Sequence, residues 1–276
     1  MSSLATVQIH SSQFPQAVRH DLLVSLRTRQ VNHKFHYDSV KQTQKWLALH
    51  QAYSPSRKDS DATGIYNRSF ETALRIKAGR VHVIGLGCGG GQKDTRLLRL
   101  LKKHGKEIFY TPSDVSLAMV LVARRTVSAV VPEKSCSPVV CDLATANDLS
   151  EVFKEAGSVR HADRTPQCGV PANATRLLTF FGMIPNFEPG PMLPKLASLI
   201  RPKDFLLFSA NLAPGTDYDA GLEKILPQYD NALTSDWLMA FLLDLGVERN
   251  DGKLKFVIEK GQESLKRVAA YFQFKR

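Results

Sequence analysis

The chain contains little cysteine and no long apolar run. Its 276 residues include four cysteines that form no CxxC pair: Cys88, Cys136, Cys141 and Cys168. We read them as thiols in a reducing compartment and expect no metal site. No apolar run approaches the roughly 18 residues of a membrane-spanning helix. The first 16 residues lack the charged-then-apolar layout of a secretory signal. We therefore predict a cytoplasmic protein with no membrane partner.

Acidic residues are scarce relative to basic ones. The chain has 37 Lys and Arg against 26 Asp and Glu, a formal net charge of +11. Part of the excess lies in the first eighty residues, and part in residues 93–106, where six basic side chains accompany Asp94. Such a field can attract nucleic acid or anionic small molecules. Leucines in the same segment supply a buried stripe, so we interpret its charges as a solvated helix face and expect no nucleic-acid partner.

Apolar strand patterns alternate with helical patterns through the middle of the chain. Helical patterns at 94–104, 116–128 and 146–156 separate predicted strands at 80–86, 107–111, 138–143, 176–182 and 205–210. Mostly apolar strands that alternate with helices predict an α/β fold, with a parallel sheet covered on both faces.

The flanking segments are less regular. Residues 18–28 and 40–52 are amphipathic, whereas 54–61 and 158–173 are predicted to be loops. After residue 212 the pattern predicts helices at 218–226 and 235–245, then strands at 253–259 and 268–274. This tail either closes the sheet with antiparallel strands or joins residues 1–60 in a second lobe.

The first strand runs directly into a glycine-dense turn at residues 85–91. A strand, a tight glycine turn and a helix N-terminus together form a cradle for a nucleotide-like ligand. The spacing Gly85-x-Gly87-x-x-Gly90 fits the dinucleotide fingerprint, and Gly87-Cys88-Gly89 fits the looser turn of S-adenosylmethionine (SAM) enzymes. The turn alone leaves both cofactors open.

Polar side chains follow the next three strands. Asp114 can accept hydrogen bonds from ribose hydroxyls, because Ser116 is available as the cap of the following helix. Asp142 can accept from an exocyclic amine while Leu143 packs on an adenine ring, an arrangement more typical of SAM sites than of dinucleotide sites. Asn186 stands where an open parallel sheet binds its substrate.

Four stretches resemble the histidine-specific SAM-dependent methyltransferase family: GLGCGGGQKDTRLL (85–98), YTPSDVS (110–116), VCDL (140–143) and FGMIPNFEP (181–189). Fainter similarity is carried by FHYD (35–38) and YSPSR (53–57), so the resemblance spans roughly residues 35–245. It implies a Rossmann-like class I methyltransferase sheet with a smaller substrate lobe, built from the N-terminal segment and a C-terminal insertion. We accordingly assign residues 1–60 to the lobe and 61–212 to the SAM-binding core. Residues 213–276 are either the rest of the lobe or sheet-closing strands.

The resemblance also implies roles for individual residues. Side chains and turns expected to bind SAM are Gly85, Gly87, Gly89, Lys93, Asp114, Asp142, Leu143, Phe181 and Gly182. Within this set Lys93 is suited to the methionine carboxylate. The substrate amino acid is expected to meet Asn186 and Tyr53, which we assign as catalytic, with Tyr37 closing over it.

Two departures from the family pattern bear on the substrate. Pro185 and Phe181 stand where the family has glycine. A late-strand glutamate and serine that read the imidazole in the family have no clear counterpart before Arg276. Either the sheet lacks its last strands, or the C-terminal segment differs in structure from that of the family.

The predicted function is SAM-dependent N-methylation of a small amino-acid-like substrate, with the α-amino group of histidine as the candidate acceptor. Three alternatives remain: an RNA methyltransferase, a nicotinamide-dependent oxidoreductase, and a non-catalytic SAM-binding member of the family. Among the histidines, His82 is predicted to pack in the core and His36 alone is kept as a pocket candidate. No general base and no oligomeric state are predicted.

Overall fold

A computed structural model describes residues 6–157, 169–210, 212–260 and 265–275 of the chain. Within these ranges the backbone forms eight strands: β1 (Gln8–Ile9), β2 (Arg80–Leu86), β3 (Glu107–Asp114), β4 (Val139–Val140), β5 (Thr175–Phe181), β6 (Phe205–Ser209), β7 (Gly252–Lys260) and β8 (Lys266–Phe274). The predicted loop at 158–173 lies mostly outside the described residues, as does Cys168.

The same described ranges contain ten α-helices. They are α1 (Pro15–Thr28), α2 (Val40–Tyr53), α3 (Pro55–Lys58), α4 (Ser60–Ala73), α5 (Gln92–Lys103), α6 (Leu117–Val127), α7 (Leu149–Ala156), α8 (Pro189–Leu199), α9 (Tyr218–Tyr229) and α10 (Ala232–Asp244). None of these helices is both long enough and apolar enough to cross a membrane.

Six strands form one parallel sheet in the order β1-β4-β3-β2-β5-β6. The central strand β2 pairs with β3 on one side and β5 on the other, so Val83 lies opposite both Tyr110 and Leu177. The strand order reverses at β2, and the carboxyl ends of parallel strands at such a reversal form a ligand-binding crevice. The predicted α/β fold with a parallel sheet is confirmed.

Apolar side chains cover both faces of this sheet. One cluster joins β2 and β3 to Phe70 of α4 and to Leu97 and Leu101 of α5. The other cluster joins the sheet to Phe153 of α7 and Leu196 of α8. Burial on both faces explains why β2, β3 and β5 read as almost continuous apolar runs rather than as alternating patterns.

Two features near the N-terminus differ from the sequence prediction. The short strand β1 was not predicted; it extends the sheet beyond β4, and the Gln8 N–H donates to the Pro138 carbonyl at 3.0 Å. The predicted loop at 54–61 is wrong, because α3 occupies part of it and α4 begins at Ser60. The Asp59 carboxylate caps α4 by accepting from the Asp61 N–H at 2.8 Å, a standard start signal for a helix.

The C-terminal strands do not close the main sheet. In the described part of the chain, β7 and β8 pair with each other as a separate antiparallel hairpin. Helix α10 instead packs against α2, and the Trp237 Nε1–H donates to the His36 carbonyl at 2.7 Å. Phe241 of α10 stacks on Phe35 with ring centroids 5.2 Å apart. These contacts agree with a lobe formed by the N-terminal and C-terminal segments together. The boundaries of that lobe remain a prediction.

Replacing Asp204 by alanine should destabilise the protein by about 3–5 kcal/mol. Asp204 accepts from the Arg176 Nε–H at 2.8 Å, and both side chains are less than a tenth exposed. The variant therefore leaves a buried guanidinium without its counter-charge. Urea denaturation gives the free energy of unfolding. The matched control is Glu107→Ala, which breaks the exposed ion pair with Arg80 and should cost less than about 1 kcal/mol. Equal losses in the two variants would contradict the argument.

Candidate active site

A cavity of about 340 Å³ opens at the carboxyl ends of the central strands. Its floor is formed by the glycine turn after β2, the end of β3, the residues after β4 and the turn after β5. Its wall comes from α2 and from the C-terminal helices α9 and α10. A volume of this size suits a small-molecule ligand.

The glycine turn leaves no room for side chains. Gly87 and Gly89 have positive φ angles of 63° and 51°, a region that favours glycine. A Cβ at Gly87 would lie 2.8 Å from Met183 Cε, and one at Gly89 would lie 3.0 Å from the Trp46 ring. The turn therefore exposes bare backbone to the cavity, and α5 begins directly after it.

Asp114 points its carboxylate at this turn. Its Oδ2 accepts from the Gly89 N–H at 2.9 Å, and its Oδ1 accepts from the Ser116 N–H at 3.2 Å. Burial raises the pKa of Asp114 to about 6, against the opposing effect of these backbone donors. The Ser116 hydroxyl caps α6 by accepting from the Met119 N–H, so Asp114 is not needed as the helix cap.

Asp142 has a buried oxygen without a partner among the described residues. Its Oδ1 accepts from the Ala144 N–H at 2.9 Å, whereas its Oδ2 accepts no hydrogen bond. The residue is completely buried and lines the cavity together with Leu143. An unpaired buried acceptor costs free energy. A ligand that donates an N–H at this point would satisfy it.

The turn after β5 brings Lys93 and Gly182 together. A Cβ at Gly182, whose φ is 73°, would lie 3.6 Å from Lys93 Nζ. The ammonium also lies 5.0 Å from the centroid of the Tyr66 ring. Phe181 lines the cavity and packs on Tyr66 and Phe70. A cationic site therefore lies beside the glycine turn.

Tyr37, Tyr53 and Asn186, the predicted substrate-binding residues, line the same cavity. Tyr53 ends α2, and Asn186 ends the short 3₁₀ helix Ile184–Asn186, in which Pro185 lies. Burial and the nearby Asp114 carboxylate raise the pKa of Tyr37, so its hydroxyl stays protonated and can donate a hydrogen bond.

The structure places Gly85 apart from the other predicted cofactor residues. Gly85 does not line the cavity. A Cβ there would meet the Asp94 carboxylate at 2.5 Å, so its missing side chain makes room for Asp94 rather than for a ligand.

The predicted pocket histidine is also misplaced. His36 packs against Trp237 and Phe241 behind the cavity wall, whereas His33 and His50 line the cavity. Burial is the main cause that lowers the pKa of both lining histidines, to about 4 for His50. Both are therefore neutral at pH 7. The prediction for His82 is confirmed: it is 3% exposed in the core, within 2.8 Å of the Thr111 hydroxyl.

Most residues of the cavity wall were not predicted from the sequence. Trp46 stacks on His50 at 4.9 Å and lies over the glycine turn. Aromatic and polar side chains from the C-terminal helices complete the wall: Gln228, Tyr229, Thr234 and Trp237. No motif marks these residues. The sequence signals were limited to the amphipathic pattern of residues 40–52 and the helical pattern of residues 235–245, and neither indicates a cavity.

The parallel sheet, the glycine turn after β2, the acid at the end of β3 and the acid after β4 together define a Rossmann-like class I methyltransferase. A sequence model of the histidine-specific, SAM-dependent methyltransferases matches residues 18–241, and the chain belongs to that family. The cofactor is therefore SAM, and the oxidoreductase and non-catalytic alternatives fall away. The cavity fits this cofactor, because it contains a turn of bare backbone, the buried Asp114 carboxylate and the unsatisfied Asp142 Oδ2.

Among solved structures, a complex of DhpI with SAM and HEP is similar over 86% of this chain and 84% of that one, with 15% identity and a TM-score of 0.37. Magnesium protoporphyrin IX methyltransferase from Synechocystis PCC 6803, with bound S-adenosylhomocysteine (SAH), is similar over 83% of this chain and 93% of that one, with 15% identity and a TM-score of 0.36. At these values neither similarity bears on the activity. No curated protein sequence matches the chain in a direct comparison.

Gly89→Ala should weaken binding of SAH by about tenfold or more, because the new methyl group occupies the space between the turn and Trp46. Gly105→Ala is the matched control. Gly105 also has a positive φ, of 73°, but a Cβ there meets nothing within 4 Å. Both variants should lose about 1–2 kcal/mol of stability from backbone strain, and only Gly89→Ala should lose affinity. Isothermal titration calorimetry measures the affinity, and unchanged binding in Gly89→Ala would refute this role of the turn.

Proposed function

We propose that the chain transfers the methyl group of SAM to an amino nitrogen of a small amino-acid-like substrate, with the α-amino group of histidine as the first candidate. The observation that carries this proposal is that Asn186, Tyr53 and Tyr37 line the same cavity as the glycine turn. An amide and two hydroxyls are suited to orient an amino acid. The description of the family supports histidine.

The cofactor is assigned to the floor of the cavity. Gly87 and Gly89 would approach its methionine part, and Lys93 would bind its carboxylate. The Asp114 carboxylate would accept from the ribose hydroxyls, and the free Asp142 Oδ2 would accept from the adenine amine. Leu143 would pack on the adenine ring, with Phe181 and Gly182 closing the methionine end. When bound, SAM supplies a methyl group activated by a sulfonium sulfur.

The acceptor is assigned to the side of the cavity nearest Asn186. Methyl transfer requires the lone pair of the amine to point at the methyl group, so orientation contributes most of the rate. The Asn186 side-chain carbonyl can accept from one amine N–H, and the Tyr53 hydroxyl can hold a second polar group of the substrate. Trp46 and Trp237 line the cavity, and their apolar rings would limit the access of water to the reacting atoms.

The proton balance places a condition on the substrate. An ammonium has no lone pair, so the nitrogen must lose a proton before the new N–C bond forms and the S–C bond of the cofactor breaks to release SAH. His33 and His50 are weak bases because burial lowers the pKa of each, and Tyr37 holds its own proton. We therefore expect the amine to enter in its neutral form, having released its proton to solvent, and turnover to rise with pH.

Binding of SAH should strengthen as the pH rises from 5 to 7. The pKa of Asp114 is raised to about 6, so at pH 5 only about a tenth of the chains carry the ionised acceptor that ribose hydroxyls prefer. Asp114→Asn should bind SAH weakly and with no rise across this range. Calorimetry at half-unit pH intervals tests this. A parallel rise in wild type and variant would assign the titration to another group.

Incubation with SAM and single amino acids, followed by mass spectrometry, tests the acceptor. We expect methylated histidine carrying its methyl on the α-nitrogen. Asn186→Ala should lower kcat/KM for the acceptor by about 10- to 100-fold, since one hydrogen bond to a reacting amine is lost, and leave the Kd of SAH unchanged. The control is Asn173→Ala, an exposed amide outside the cavity. Unchanged acceptor affinity and turnover in Asn186→Ala would refute its role. Methylation of RNA but of no amino acid would refute the proposed substrate class.

A further inference from the structure

Asp94 is a buried carboxylate that the roles proposed above do not use. It lies in the first turn of α5, lines the cavity and is 3% exposed. Two hydroxyl groups hold it in place. The Tyr110 hydroxyl donates to Oδ2 at 2.7 Å, and the Thr179 hydroxyl donates to Oδ1 at 2.8 Å.

Residues on three strands hold the Asp94 carboxylate beside the cavity. Tyr110 lies on β3, Thr179 on β5, and Gly85 on β2 leaves the space that the carboxylate fills. Any side chain at Gly85 would collide with Asp94 Oδ2, since a Cβ would stand only 2.5 Å away. Packing alone does not require an acid here. Burial of a carboxylate costs free energy that two neutral hydroxyl groups offset only in part.

The carboxylate retains capacity for a further donor. Each oxygen accepts one hydrogen bond from a side chain, and a carboxylate offers about four acceptor positions. Burial raises the pKa of Asp94, whereas its two hydroxyl partners and Lys93 lower it. A cationic donor in the cavity would stabilise the ionised form further and would gain a strong, charge-assisted hydrogen bond.

We propose that Asp94 binds the α-ammonium group of the cofactor's methionine part while Lys93 binds the α-carboxylate. Adjacent residues on a helix point about 100° apart, so the two charges face different parts of the cavity. Opposite charges on neighbouring residues match the two charges of an amino-acid zwitterion. The cofactor is the occupant because both residues lie in the first turn of α5, which begins directly after the glycine turn, and because the amine of the acceptor must react uncharged.

This inference rests on the cofactor site proposed above and is independent of the identity of the acceptor. Three ligands separate the two claims when they are titrated calorimetrically without any acceptor. SAH carries the whole amino-acid part, its desamino analogue lacks only the ammonium, and 5′-methylthioadenosine lacks the amino-acid part entirely.

Wild type should bind SAH about 10- to 100-fold more tightly than the desamino analogue, as a hydrogen bond between charged groups implies. Asp94→Asn should reduce this ratio to about one and should bind 5′-methylthioadenosine as wild type does. The control is Asp61→Asn, which removes an exposed acid from the first turn of α4 and should leave all three affinities unchanged.

Equal binding of SAH and its desamino analogue by wild type would overturn the inference, and so would an equal loss of all three ligands in Asp94→Asn. If Asp94→Asn does not fold, Gly85→Ala displaces the carboxylate without removing its charge and should also lower the ratio. An unchanged ratio in that variant counts against Asp94. Failure of wild type to bind either SAH or 5′-methylthioadenosine would overturn the cofactor site and this inference with it.

Discussion

The hydrogen bond from the Gly89 N–H to the Asp114 carboxylate is the contact on which the rest of the site depends. It ties the turn after β2 to the end of β3, and the parallel register of the two strands brings these ends to one edge of the sheet. Because this hydrogen bond fixes the turn, it also fixes the start of α5. The start of α5 in turn sets the positions of Lys93 and Asp94 at the cavity. A single backbone donor thus links the end of β3 to the start of α5.

Burial shifts the pKa values of five groups in and around the cavity toward their neutral forms. It raises the pKa values of Asp114, Asp94 and Tyr37 and lowers those of His33 and His50. Every one of these shifts favours the neutral form of the group. In such a weakly polar environment the charges that persist interact more strongly than they would in water. A charge that a ligand brings into this cavity would therefore interact strongly with the few charged groups that line it.

The sequence predicted the floor of the site because its signals are local. The apolar run of β2, the glycine turn and the acids after β3 and β4 can each be read within a few residues. The wall could not be predicted this way, since Trp46 and Trp237 lie far apart in the sequence and come together only because each packs on Tyr37. His36 faces away because its 3₁₀ turn is oriented by Trp237 and Phe241. Gly85 fits the glycine spacing of the turn motif. Its missing side chain nevertheless makes room for the neighbouring Asp94 carboxylate and not for a ligand.

The wall of the cavity joins segments from both ends of the chain. Tyr37 and Trp46 come from the N-terminal part, Trp237 comes from α10, and the Trp237 Nε1–H donates to the His36 carbonyl. During synthesis on the ribosome α2 and the six strands of the sheet emerge before α9 and α10. The cavity is therefore complete only after α9 and α10 have been released and α10 has docked on α2.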